Sequence, residues 1–102
     1  MAEDRYYIGT DLKFKIDIRA AGFNQAEDDY ELDLYTGGAE PLHFTQDDIR
    51  QDGSDFYLCV PTASLTPGPL KLVVTAHVPD TDFGDNERTE IAVKNVGYLK
   101  AV

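Results

Sequence analysis

Hydrophobic and polar residues alternate along five stretches of the chain, a period typical of half-buried β-strands. These stretches are residues 11–19, 29–35, 55–60, 70–78 and 89–94. Residues 5–8 are a further short candidate, and residues 42–44 and 98–100 are weaker candidates for edge strands. The inward-facing set predicted from the alternation is Leu12, Phe14, Ile16, Ile18, Tyr30, Leu32, Leu34, Leu58, Leu72, Val74, Ala76 and Val78.

Turn signals separate these stretches. Gly37 and Gly38 follow the strand at residues 29–35, and a Thr-Pro-Gly-Pro turn at residues 66–69 leads into the next long strand. Only residues 45–50 look helical, for about one turn, where Thr and Asp three residues apart resemble a capping box. Short strands without intervening helices predict one all-β domain over residues 1–102, an antiparallel β-sandwich of about seven strands.

The charges fit this sandwich. Strand 11–19 carries basic residues on its polar side and strand 29–35 carries acidic ones, so pairing of these two strands would align opposite charges. The whole chain of 102 residues has 19 acidic and 9 basic residues, a formal net charge of −10. Nucleic acids and anionic membranes attract clustered cations, so this balance argues against both as partners.

The first residues contain neither a basic segment nor an apolar one, so we expect no signal peptide. No apolar run approaches the ~20 residues that a membrane-spanning helix needs. The single cysteine, Cys59, cannot form an intramolecular disulfide, so the protein is made in a reducing cytoplasm or does not depend on oxidation. Cys59 lies in a strand-like run, and residue preferences predict a small packed side chain.

Nothing in the sequence predicts catalysis. His43 and His77 lack the spacing of metal ligands, and the chain has no Gly-rich phosphate loop, nucleophile elbow or HExxH motif. The acidic loop at residues 80–87 offers oxygen ligands, but Gly84 occupies the third ligand position of a calcium loop and Ile91 the closing one. We therefore expect a solvated loop and a protein that is not an enzyme, without cofactor or metal.

The tyrosines leave three interpretations open. Tyr6, Tyr7, Tyr35, Tyr57 and Tyr98 are half-buried at the rim, form a protein interface, or stack on sugars.

Both ends of the chain are apolar for terminal segments, and Tyr6, Tyr7, Tyr98 and Leu99 are the candidate interface residues. These ends either pair with the domain's own sheets or dock onto another protein. We expect the isolated chain to be a monomer in dilute solution, with its specific contacts made in an assembly.

Three segments resemble the small N-terminal domains of prophage-encoded structural proteins of gut anaerobes. They are the turn at residues 65–70, the Val-Pro-Asp-Thr-Asp-Phe loop at residues 78–83 and Arg-Thr-Glu at residues 88–90; residues 7–13 are also similar. The architecture resembles the immunoglobulin-like N-terminal domain of phage upper-baseplate proteins. The resemblance implies an immunoglobulin-like assembly module of a tail, baseplate or fibre, with other virion or tail proteins as partners. It further implies that the chain stays cytoplasmic until assembly and then joins the virion. The alternative is a carbohydrate or cell-surface binding module.

Calcium is expected to leave the stability of the protein unchanged, because the loop at residues 80–87 lacks a closing bidentate Glu. A ligand present at about 100 times its Kd would stabilise the fold by about 2.7 kcal/mol and raise the Tm by several degrees. Calorimetry with calcium and with a chelator measures this difference. A calcium-dependent shift of that size, abolished by Asp82→Ala, would contradict the prediction.

Overall fold

The structure, a computed structural model, describes residues 5–38 and 40–102. Residues 1–4, on which the expectation of no signal peptide partly depends, lie outside the described residues. The described chain contains eight β-strands and one short 3₁₀ helix, Gln46–Asp48, but no α-helix. The strands are β1 (Arg5–Tyr7), β2 (Asp11–Lys15), β3 (Tyr30–Tyr35), β4 (Leu42–Thr45), β5 (Ile49–Asp52), β6 (Asp55–Pro61), β7 (Gly68–Pro79) and β8 (Glu87–Lys100). The predicted all-β class is confirmed.

The strands form two sheets. The larger has five strands in the order β1-β8-β7-β3-β4, and the smaller has three in the order β2-β6-β5. Neighbouring strands are antiparallel except β1 and β8, which are parallel. The predicted helical turn is present as the 3₁₀ helix, where Asp48 Oδ2 accepts a hydrogen bond from Thr45 N at 2.9 Å.

Both sheets contribute to one hydrophobic core. Its buried members are Leu12, Ile16, Tyr30, Leu32, Leu34, Leu58, Val60, Leu70, Leu72, Ala76, Val78 and Leu99. Most of the predicted inward residues are among them, while Phe14, Ile18 and Val74 are only partly buried against the cluster. Burying one such Leu or Val side chain contributes about 1.5–3 kcal/mol, so the period of two accounts for the main stabilisation of the fold.

Strand β2 is shorter than predicted and has a different partner. It ends at Lys15, and the chain then crosses through residues 16–29 to β3 in the other sheet. The proposed charge ladder between strands 11–19 and 29–35 is therefore wrong, because these strands do not pair. β2 pairs with β6 instead, and Lys15 Nζ lies 3.1 Å from Asp55 Oδ1.

Strand β8 combines two predicted segments, residues 89–94 and 98–100, into one long strand. Leu70 pairs with Gly97 and Lys71 pairs with Asn95, so Val96 is left as a bulge in β8 between the two predicted segments. Beyond this bulge, β1 pairs with residues 98–100. The two ends of the described chain thus pair within the domain's own sheet, which was one of the two alternatives left open by the sequence.

Two predicted turns touch each other at one end of the larger sheet. The N–H of Gly37 donates to the carbonyl of Thr66 at 3.3 Å. A Cβ built on Gly37 would lie 1.8 Å from the carbonyl oxygen of Pro67, and one built on Gly68 would lie 2.7 Å from the Cα of Gly37. Gly68 also has a φ of +149°, which an L side chain rarely adopts. Close backbone contact therefore requires glycine at both positions.

Gly37→Ala is expected to lower the free energy of unfolding by about 1–3 kcal/mol, because the added methyl group overlaps the Pro67 carbonyl. Gly84→Ala is the matched control, since a Cβ there meets nothing within 4 Å. Urea unfolding of both variants measures the difference. Equal stability of the two variants would show that the turns do not pack as described.

Candidate functional site

The outer face of the larger sheet presents a row of exposed side chains to solvent. Residues paired across the sheet share a face, so the register of β8, β7 and β3 defines it. Val93 lies opposite Val73, which in turn lies opposite Asp33. Ile91 lies opposite Thr75 in the next row. This outer face is the candidate site because it gathers exposed apolar, aromatic and charged groups.

One end of the outer face carries a tyrosine–lysine cluster, formed by Tyr7, Tyr35, Tyr98, Lys71 and Lys100. Tyr7 pairs with Lys100 across β1 and β8, and Tyr35 pairs with Lys71 across β3 and β7. The Nζ atom of Lys100 lies 6.0 Å from the centroid of the Tyr7 ring, and that of Lys71 lies 5.2 Å from the Tyr35 ring. These distances are those of cation–π contacts, which contribute about 0.5–1 kcal/mol at exposed sites.

The tyrosine–lysine cluster is a cationic region on an acidic protein. Arg5 adds a third cation, since it pairs with Tyr98 in the β1–β8 register. The net charge of the whole chain is −10, so this end differs in sign from the remainder. Aromatic rings with Arg and Lys beside them stack on flat ligands, donate hydrogen bonds and attract acidic groups.

The structure divides the four predicted interface residues between two faces. Tyr7 is 56% exposed and Tyr98 is 39% exposed, and both belong to the tyrosine–lysine cluster. Leu99 is 0% exposed and Tyr6 is half-buried against the core. Alternation explains the division, because neighbouring residues of a strand point to opposite faces. Only Tyr7 and Tyr98 are therefore placed to contact a partner.

The remaining tyrosines of the predicted patch do not all join it. Tyr35 does, because β3 and β7 bring it to the same end of the sheet. Tyr57 lies in β6 of the smaller sheet, with Lys13 Nζ 4.5 Å from its ring centroid. The sequence pattern alone did not single out Lys71 and Lys100 of the cluster. The signal that identifies them is alternation: Lys100 is two residues after Tyr98 and Lys71 is two residues after Pro69, so each lies on the same face as that residue.

The middle of the outer face is apolar along β8 and is called the apolar middle here. Ile91 is 66% exposed and Val93 is 59% exposed, both in β8. The alternation of residues 89–94 predicts this strand but does not show which face Ile91 and Val93 occupy. Contiguous apolar surface favours contact with another protein, and these two residues extend the exposed aromatic surface of the same face.

A histidine–aspartate pair borders the apolar middle. His43 Nδ1, in the edge strand β4, lies 2.8 Å from Asp33 Oδ1 in β3. The hydrogen bond that the His43 ring donates to the Asp33 carboxylate raises the pKa of His43 above its usual value. The pair is exposed, so it adds a pH-dependent charge to the rim of the face without forming a cleft.

The other candidate groups lie elsewhere. Within residues 5–38 and 40–102, no three His, Cys, Asp or Glu residues are grouped to hold a metal ion. In the acidic loop, Arg88 pairs with Asp80 at 2.5 Å. A backbone hydrogen bond from Asp82 and the Arg88 contact lower the pKa of the Asp80 carboxyl. The loop is thus tied to β8 through one of its own carboxylates.

Cys59 is exposed, so the prediction of a packed side chain is wrong. It lies between the buried residues Leu58 and Val60, and alternation along β6 turns it to the outer side of the smaller sheet.

Comparisons with known proteins add no relative. No family model, curated protein or solved structure matches the chain. In the part of the chain that the structure describes, no helix has the length and apolar character needed to cross a membrane.

Asp33→Asn is expected to lower the pKa of His43 towards 6.5, because it removes the carboxylate that favours the charged ring. The raised folded-state pKa means that the pair stabilises the fold below the unfolded pKa and that this contribution is lost as the pH rises through the folded one. An NMR titration of the His43 ring measures the shift. Glu27→Gln, which removes an exposed carboxylate elsewhere, is the control; an unchanged pKa in Asp33→Asn would contradict the assignment.

Proposed function

We propose that the chain is a non-enzymatic assembly module of a phage or prophage-derived particle, docking through the outer face of its larger sheet. The observation that carries this proposal is the gathering of exposed apolar groups on one face. Among the described residues, the large exposed hydrophobic side chains all lie there except Phe83 and Val102. A surface of this kind favours contact with another protein.

The strand order supports an immunoglobulin-like type for the domain. In such sandwiches strands B, E and D share one sheet, while C, F and G share the other, with C′ added beside C in the variable type. Lettering the eight strands in chain order as A, B, C, C′, D, E, F and G places β2-β6-β5 at B-E-D and β4-β3-β7-β8 at C′-C-F-G. β1 departs from the constant-type arrangement, because it pairs with β8 instead of β2.

The assignment to a phage particle depends on the resemblance to prophage structural domains. Its segments at residues 65–70, 78–83 and 88–90 form the turn before β7, the loop between β7 and β8, and the start of β8. On this proposal the partners are other virion or tail proteins, and the chain moves from the cytoplasm into the particle. The tyrosine–lysine cluster would meet an acidic surface of such a partner, since opposite potentials face each other across interfaces.

A carbohydrate-binding module is the second candidate. The same cluster favours it, because Tyr7, Tyr35 and Tyr98 are exposed on one sheet face, with Lys100 opposite Tyr7 and Lys71 opposite Tyr35. Aromatic rings stack on the apolar faces of sugars, and the lysines would donate hydrogen bonds to hydroxyl groups.

The proposal predicts that the chain copurifies with particles released from its source organism after prophage induction. Density-gradient fractions are examined by mass spectrometry for the wild-type chain and for a tagged copy supplied in the same cells. Tyr7→Ser together with Tyr98→Ser is expected to reduce incorporation of the tagged copy by about tenfold or more, because buried tyrosines dominate interface energies.

Phe83→Ser is the matched control, since Phe83 is an exposed aromatic residue outside the outer face. Absence of the chain from the particle fractions, or equal incorporation of the two variants, would contradict the assembly proposal. Binding of the purified chain to a glycan array, abolished by the double Tyr variant and retained by Phe83→Ser, would favour the carbohydrate-binding alternative.

A further inference from the structure

The free edge of β8 is a second surface, separate from the tyrosine–lysine cluster. β1 covers this edge only at residues 98–100, beyond the bulge at Val96. At the other end, Arg88 Nη2 donates to the carbonyl of Ala21 at 2.8 Å. Among the described residues, no strand pairs with the intervening residues 89–95 on that side. Their outward backbone groups form a template for another strand.

The side chains of residues 89–95 alternate between two faces of the sheet. Glu90 and Lys94 lie opposite the buried residues Ala76 and Leu72, so both are on the inner face with Ala92 between them. Ile91 and Val93 are on the outer face. The order Glu-Ile-Ala-Val-Lys at residues 90–94 is therefore self-complementary about Ala92. Two residues away on either side are the opposite charges of Glu90 and Lys94, and one residue away are the β-branched Ile91 and Val93.

We propose that a second copy of this chain pairs with the free edge of β8, antiparallel and about a two-fold axis through Ala92. In this register Glu90 faces the partner's Lys94, and Lys94 faces the partner's Glu90. Opposite charges directly across a ladder stabilise strand pairing, and the axis makes each contact occur twice. Ile91 faces the partner's Val93 on the other side of the same ladder.

Neighbouring registers are less favourable. An axis through Glu90 or through Lys94 places two like charges directly opposite each other, which destabilises an antiparallel pair. An axis through Ile91 places Arg88 opposite the partner's Lys94, again a pair of like charges. An axis through Val93 places Lys94 opposite the partner's Ala92 and Glu90 opposite the partner's Val96, so it forms neither opposite-charge pair. The charges thus favour the Ala92 register over these alternatives.

An apolar groove lies beside the free edge of β8, where the second copy would cover it. It has a volume of about 160 Å³ and lies between β8 and the segment that follows β2. Ile16, Ile18, Leu72 and Val74 contribute its apolar walls. Glu90, Ala92 and Lys94 line it from β8, so the matching residues of a paired strand would lie across its mouth. Pairing would remove apolar surface from water in addition to forming backbone hydrogen bonds.

This dimer goes beyond the proposed docking function and does not depend on it. It joins two five-stranded sheets into one continuous sheet and places the two tyrosine–lysine clusters on the same side, which allows bivalent binding. The net charge of −10 on each copy opposes association, so the dimer forms at high concentration. The expectation of a monomer in dilute solution stays a prediction, which the same experiment examines.

The test uses charge swaps on the full chain, measured by sedimentation equilibrium from about 10 µM to 1 mM protein. Lys94→Glu and Glu90→Lys are each expected to weaken dimerisation by about tenfold or more, because each creates two like-charge pairs. The double variant, which carries both changes, restores opposite charges in the same register and keeps the wild-type net charge. It is expected to recover most of the dimerisation lost in the single variants, although the swap at Glu90 also removes the hydrogen bond, 3.2 Å long, that Arg88 of the same chain donates to it.

A mixture of the two single variants provides an independent control. Lys94→Glu and Glu90→Lys chains are complementary to each other, so the equimolar mixture is expected to form heterodimers where neither variant forms homodimers. Glu90→Gln and Lys94→Gln replace either swap that fails to fold, and they are expected to weaken the dimer less. A wild-type chain that is monomeric throughout the range, or a dimer insensitive to all swaps, would overturn the proposal.

Discussion

The pairing of β7 on both of its edges is the interaction on which the rest of the structure depends. β7 pairs with β3 along one edge and with β8 along the other, and it carries the buried residues Leu70, Leu72 and Val78 towards the smaller sheet. A slip by one residue would turn this whole set to solvent. The core, the outer face and the free edge of β8 all take their positions from this one strand.

Much of the strand pattern could be predicted from the sequence, because alternation depends only on neighbouring residues and is the same whichever strands pair. The sheet partners could not, because they depend on where the chain crosses between layers. Nothing in residues 11–19 indicates that β2 pairs with β6. Likewise, nothing in residues 5–8 indicates that β1 runs parallel to β8. Cys59 illustrates a different error: an average preference for burial was given more weight than the alternation of the residues around it.

The candidate site shows the same division between local and long-range information. The terminal tyrosines could be identified because both end segments are apolar, but the alternation along each strand determines that Tyr7 and Tyr98 are exposed while Leu99 is buried. Lys71 and Tyr35 join them only through the β3–β7 register. A basic aromatic group therefore forms on an acidic chain from residues distant in sequence, which composition alone does not reveal.

The β1–β8 pair has a consequence for how the protein is made. β1 is made first but pairs only with residues 98–100. The larger sheet therefore cannot be completed while the ribosome is still adding β7 or the first part of β8. Until residues 98–100 are added, Tyr6 lacks its neighbour Leu99, and the part of β7 at Gly68 and Pro69 lacks its partner residues in β8. Contacts between residues so far apart in sequence form slowly because of loop closure entropy. The nascent chain thus exposes aggregation-prone surface until residues 98–100 have been added, and binding by a chaperone would protect it during that interval.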